Sequence, residues 1–441
     1  MITEKAWVVS ANMGYGHLRA TYPLQKLAIN NRVYLFGEES LDSCREGRLW
    51  HFFQYTYESI SRIQQVPVIG SPLFGFMEKL MNISPYYPYR DLSAPSFQVK
   101  LLYWLIKRGL GKGLARNLST QELPIITSFY AAAMAAEEET QLPVYCIVCD
   151  TDINRVWVAK NPTKSRIVYF APCGHTVRRL RQYGVPDDRI YLTGFPLPDE
   201  NIGGDDMPIL RRDLWERLNR LDPSKRFLTL HQQEIAFYLG NLDNAREQDD
   251  EKPLTITYCV GGAGAQSELV MDVLRSLKKQ ICERKVRLNL VAGVRPSVAK
   301  YFMRLIKKEG LQDCPGIHVI YQEKKDDYFR EFSRLLHDTD LLWTKPSELS
   351  FYCALGIPII IAPPIGPHEV QNGQWLQDIG AGIPQGNPRY CDEWIFDNLM
   401  DGRLSMAAWN GLLYAQKMGT YKIVEIMKAG SIQREALPIK E

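Results

Sequence analysis

At 441 residues, with 45% hydrophobic and 23% charged side chains, the chain has ordinary globular composition and room for two sizeable domains. A formal net charge of +3 is too small for the dense basic face of a nucleic-acid binder, so no such partner is expected. Residues 1–5 lead into no secretory apolar core, no apolar run nears the ~18–20 residues that span a bilayer, and nine cysteines are sparsely scattered, which together point to a reduced, cytoplasmic protein.

Residues 5–11 form a short apolar run that ends in Asn12-Met13-Gly14-Tyr15-Gly16-His17 and passes into a helix-compatible stretch over 18–29. This reads as strand, glycine turn, helix. Further β-rich runs at 32–36, 124–127, 144–148, 166–170 and 190–192, with helical stretches at 130–139 and 175–183, predict parallel βαβ units. Cys146 and Cys149 have the spacing of a redox or zinc pair but lie in an apolar strand, and are read as core thiols.

Residues 50–117 interrupt the alternation with aromatic clusters such as Tyr86-Tyr87-Pro88-Tyr89 and Tyr103-Trp104. They are expected to form an inserted helical subdomain. Lys100, Lys107, Arg108, Lys112 and Arg116 flank its apolar cluster as an interfacial helix requires, so the insertion also reads as an acceptor-facing or anionic-membrane-facing region. Residues 201–252 are charged around a helical 209–221 and read as an interdomain region or insertion. The alternation resumes at 254–260, 286–292, 317–320, 341–343 and 357–361, and 391–441 reads as helices followed by a frayed tail. The expected fold is α/β: a Rossmann-like domain over 1–200 and a second over 253–390, facing across a cleft. Each sheet opens with a glycine turn, the second within 261–265, and open α/β sheets bind ligands beyond the carboxyl ends of their strands.

Four motifs in order carry a family resemblance: Ser10 through Gly14-Tyr15-Gly16-His17; Cys149-Asp150-Thr151-Asp152 on to Trp157; Gly184-Val185-Pro186 to Gly194-Phe195-Pro196; and Thr344-Lys345-Pro346-Ser347 with Gly356-Ile357-Pro358 and Glu369-Val370-Gln371-Asn372. Together they resemble the GT-B glycosyltransferases that include monogalactosyldiacylglycerol synthase, the processive diacylglycerol glucosyltransferases and, more distantly, the MurG lipid II glycosyltransferase. The resemblance implies transfer of a sugar from a nucleotide-sugar donor, such as a UDP-sugar, to a lipid or other membrane-associated acceptor by a peripheral protein. It also marks a departure: Phe351 stands at the spacing of the family's ribose-binding acid, and the nearest acid is Glu348.

His17, just after the acceptor-side glycine loop of Gly14 and Gly16, has the pKa range of a general base. Asp150 and Asp152 follow a buried strand, where a carboxylate serves as base or orients His17. Gly262 and Gly264 offer backbone amides to the leaving diphosphate near a helix start, with Lys345 and Ser347 as a second contact. Glu369 and Asn372, matched to the family's Glu-x-x-Asn, are expected to carry most polar donor contacts, with Glu348 joining if it reaches in. No metal site and no cofactor are expected, the nucleotide sugar being a substrate. A non-catalytic binding homologue and a nucleotide-sugar epimerase remain as alternatives on the same architecture.

Overall fold

β1 (Trp7–Ser10) is buried along its whole length, as a strand covered on both faces requires. With β2 (Tyr34–Leu35), β3 (Ile125–Thr127), β4 (Val144–Ile147), β5 (Val168–Ala171) and β6 (Ile190–Leu192) it forms a parallel sheet of order β2-β1-β3-β4-β5-β6. A second parallel sheet holds β7 (Leu254–Cys259), β8 (Val286–Gly293), β9 (Ile317–Tyr321), β10 (Leu341–Thr344), β11 (Ile359–Ile361) and β12 (Gly382–Pro384), in the order β12-β11-β10-β7-β8-β9. The computed structural model describes residues 5–37, 44–63, 83–240, 252–260 and 267–429.

The chain divides into two units, one of Met1–Leu197, Ile365–Asn372 and Gln416–Glu441, the other of Pro198–Pro364 and Gly373–Ala415. In the first, helix Tyr130–Glu139 buries seven consecutive residues, Tyr130 to Ala136. Five of them are alanines, whose small side chains let the helix lie close against β3 and β4. The insertion is helical at Cys44–Ile63, Phe97–Lys107 and Lys112–Leu118. Buried Glu46 closes it: its carboxylate accepts from the Gly111 and Gly113 amides at the start of Lys112–Leu118. Those amides have no partner within their own helix, so the acid at that end is electrostatically favoured.

In the second unit the helices Val270–Cys282, Pro296–Lys308 and Lys325–Asp338 are amphipathic. Val270–Cys282 buries Val270, Val273, Leu274, Leu277 and Ile281, the three-and-four spacing of a helix with one face on a sheet. Helix Pro208–Leu221 sends in Arg217, whose guanidinium donates to the carbonyls of Leu336, Thr339, Leu355 and Gly356 at 2.7–3.2 Å. Burial pushes its pKa down to about 10, with Asp340 opposing, so it remains a cation at neutral pH. A cation there complements the last carbonyls of Lys325–Asp338 and of the 3-10 helix Glu348–Leu355.

One pair departs from the expected reduced state of the cysteines. Cys282, ending its helix, and Cys314, in the loop before β9, form a disulfide. Cys146 and Cys149 are buried thiols. Among the described residues no helix is long and apolar enough to cross a membrane.

Candidate functional site

The strand orders place one topological switch point in each sheet. In the first unit the chain steps from β1 outward to β2 and then returns to the other side of β1 as β3. The loops after β1 and β3 therefore diverge, and the carboxyl ends at such a switch are where open α/β sheets take ligands. The corresponding switch in the second sheet lies between β7 and β10.

His17 sits at the first switch. Gly14 leaves β1 with φ 109, a conformation that disfavours any side chain, and starts helix Tyr15–Thr21, which carries His17 in its first turn. From the loop after β3, the Ser128 carbonyl lies 2.6 Å from His17 Nδ1, and Ser128 Oγ donates to the His17 carbonyl at 2.9 Å. A carbonyl only accepts, so Nδ1 carries the proton and the neutral ring has its lone pair on Nε2. Phe129, edge-on at 5.2 Å, and Trp157 at 6.1 Å flank the ring. Cys149 Sγ lies 3.9 Å from Nδ1.

The two aspartates after β4 have different surroundings. Asp152 is 1% exposed, and Arg179 donates Nε and Nη2 to its two oxygens at 2.7 and 2.8 Å. The Ile153 amide and His175 Nε2 add bonds at 2.8 and 3.3 Å. Burial pushes the Asp152 carboxyl up, but hydrogen bonds from His175 and Arg179 outweigh it and hold the pKa below the ordinary carboxylate value. Half-buried Asp150 accepts at Oδ1 from Asn372 Nδ2, 3.0 Å away. Fully buried Asn372 also accepts at Oδ1 from the Thr151 amide and hydroxyl, both at 2.8 Å.

Glu369 is 2% exposed, and its Oε2 accepts from the Ile365 amide at 2.7 Å, just before helix Pro367–Asp378. That is the reach-back of a carboxylate in a first helical turn.

At the second switch, Gly262 and Gly264 follow β7 but lie outside the described residues. Lys345 and Ser347 follow β10, and the helix expected near Ser347 is the 3-10 helix Glu348–Leu355, with buried Glu348 at its first position. Phe351 packs on Trp375, ring centroids 5.4 Å apart, and belongs to the core of that unit.

Ser128, His175, Arg179 and Thr176 escaped the sequence reading. The run Gly-His-Thr-Val-Arg-Arg-Leu-Arg-Gln over 174–182 looks like a solvated helix, and only the turn after β4 makes Arg179 a buried partner. Ser128 follows a strand as any capping serine does; strand order gives it meaning.

Among the described residues of 5–197, the exposed large aromatic side chains all fall within 50–117: Phe52, Tyr55, Tyr87, Tyr89, Phe97 and Trp104. No cluster of three or more potential metal ligands occurs among the described residues.

The processive diacylglycerol β-glucosyltransferase of Bacillus cytotoxicus is 21% identical over 445 residues, covering 99% of this chain and 96% of that protein. The motif resemblance thus runs the length of the chain. Residues 297–422 match the model of a domain of unknown function, DUF6938. Among solved structures, the UDP-GlcNAc 2-epimerase from Neisseria meningitidis bound to UDP-GlcNAc is 13% identical, covering 96% of this chain and 99% of that one, with a TM-score of 0.47. CalG4, the calicheamicin glycosyltransferase, is 9% identical, with 97% and 98% covered and a TM-score of 0.48. Two six-stranded parallel sheets with flanking helices make up the GT-B fold class that the motifs imply.

Proposed function

We propose that this protein transfers a sugar from a nucleotide-sugar donor to the hydroxyl of a diacylglycerol-type lipid, with His17 as general base. The observation that carries the reading is the Nδ1–H bond to the Ser128 carbonyl, which fixes the tautomer whose Nε2 accepts a proton, at the switch point of the first sheet. The acceptor oxygen bonds to the anomeric carbon as its proton passes to Nε2. The bond from that carbon to the diphosphate breaks, and the nucleoside diphosphate leaves with the electron pair. Asp150, half-buried beside this edge, supplies the negative charge that stabilises the His17 imidazolium as it forms. For the donor we assign Lys345 and Ser347, which follow β10, to the diphosphate and Glu348 to the place of the acid that Phe351 replaces. The whole-length similarity to a diacylglycerol glucosyltransferase supports both the reaction class and a lipid acceptor.

The test is nucleotide release by purified protein given a panel of nucleotide sugars with diacylglycerol in mixed micelles. Lipid-dependent release is expected, and His17→Ala should lower kcat by roughly 10²–10⁴-fold. Nucleotide-sugar binding without turnover would establish the non-catalytic reading instead, and lipid-independent conversion of the donor sugar the epimerase reading.

A further inference from the structure

The geometry points to Asn372 as a positioning residue of the acceptor side, one that aims the Asp150 carboxylate rather than contacting the donor. This rests on the glycosyl-transfer reading above. Asn372 comes 222 positions after Asp150, yet both belong to the first unit, and its carboxamide meets the turn after β4 on two sides. Oδ1 accepts from the Thr151 amide and hydroxyl, and a flipped carboxamide would set its NH2 against the Thr151 N–H, which can only donate. With Oδ1 so fixed, Nδ2 must point at Asp150 Oδ1.

The rest of the turn is held by other groups. Thr176 Oγ1 lies 3.1 and 2.8 Å from the carbonyl oxygens of Asp150 and Thr151. Asp152 is clamped by Arg179 and by the Ile153 amide. Loss of the Asn372 amide therefore leaves the turn anchored at the Asp150 and Thr151 carbonyls and at Asp152, and releases the Asp150 carboxylate together with the Thr151 N–H and hydroxyl. A side chain that is 0% exposed and already spends both ends on this turn is poorly placed to bind a nucleotide sugar as well.

The experiment compares the full-length parent with Asn372→Ala, Asn372→Asp, Asp150→Ala and the Asp150→Ala/Asn372→Ala double variant. Steady-state nucleotide release gives kcat and the acceptor KM, and calorimetry gives donor affinity. Asn372→Asp keeps the shape and the acceptor for Thr151 but sets a carboxylate against Asp150, which guards against a folding defect in the alanine variant. Both Asn372 variants should lower acceptor kcat/KM at least tenfold while donor Kd stays within twofold. The double variant should be no worse than Asp150→Ala, because Asn372 acts through that carboxylate. Tenfold weaker donor binding with unchanged acceptor parameters would make Asn372 a donor contact and overturn the inference. So would multiplicative losses in the double variant. A parent without lipid-dependent turnover removes the glycosyl-transfer reading and this inference together, whereas an active parent with either overturning pattern removes this inference alone.

Discussion

Two aspartates separated by one residue are equivalent on paper and different in the fold. Asp152 faces a buried guanidinium and is held ionised, so it organises the turn; Asp150 keeps part of its surface exposed. The shift at Asp152 makes a prediction about acid stability. Its folded pKa is depressed below the unfolded value of 3.8, so the stability it contributes is fully present above that value and is lost as pH falls through the folded pKa. Asp152→Asn should flatten the acid limb of stability below about pH 4. At neutral pH it should destabilise by about 3 kcal/mol or more, because Arg179 is left buried against a neutral partner. Urea titrations from pH 7 down to pH 3 measure both effects. An unchanged acid limb would show that the Asp152–Arg179 pair does not couple to folding.

Among the elements, the crossovers around β8 carry a covalent tie. Cys282 and Cys314 are 32 residues apart, and closing a loop of that length removes unfolded-state entropy worth about 3–4 kcal/mol in the chain-entropy model. Thermal unfolding of the second unit should therefore shift down when a thiol reductant is added. The Cys282→Ser/Cys314→Ser variant should start at the lower midpoint and show no response to reductant. A parent midpoint indifferent to reductant would mean that the bond contributes nothing in solution. Nothing in the spacing of nine cysteines announces this pair, since the partners meet only after the helices on either side of β8 have packed. β12 escaped for a local reason: three residues ending in proline at a sheet edge carry neither length nor β-branched pattern.

At the scale of the whole molecule, the proposed lipid acceptor calls for a surface suited to a bilayer. Helix Phe97–Lys107 buries Val99, Leu102, Tyr103, Leu105 and Ile106, leaving Phe97, Lys100, Trp104 and Lys107 on one exposed stripe. Arg108 lies over the Trp104 ring at 3.8 Å. Aromatic rings between cations suit the headgroup region of an anionic bilayer. Removing Lys107 and Arg108 costs about 1 kcal/mol each at such a surface, roughly thirty-fold together, so Lys107→Glu with Arg108→Glu should abolish most flotation with anionic liposomes. Partitioning that does not change would move the contact elsewhere.

The sequence by itself determined the strands and their class. Apolar runs of three to eight residues separated by helical stretches admit little besides parallel βαβ units, and eleven of the twelve strands fall on runs visible in the chain. His17 and the turn at Asp150 were visible too, because glycine and acidic turns after a strand are local features. Tertiary structure alone decided the strand order, and with it the switch points, because either side of β1 is open to β3 until the crossover packs. It also decided what each polar group does: that Ser128 fixes the His17 tautomer, that Phe351 enters a core, and that Asn372 reaches Asp150. Those contacts join residues from 111 to 222 positions apart or rest on packing, and local patterning holds no record of them.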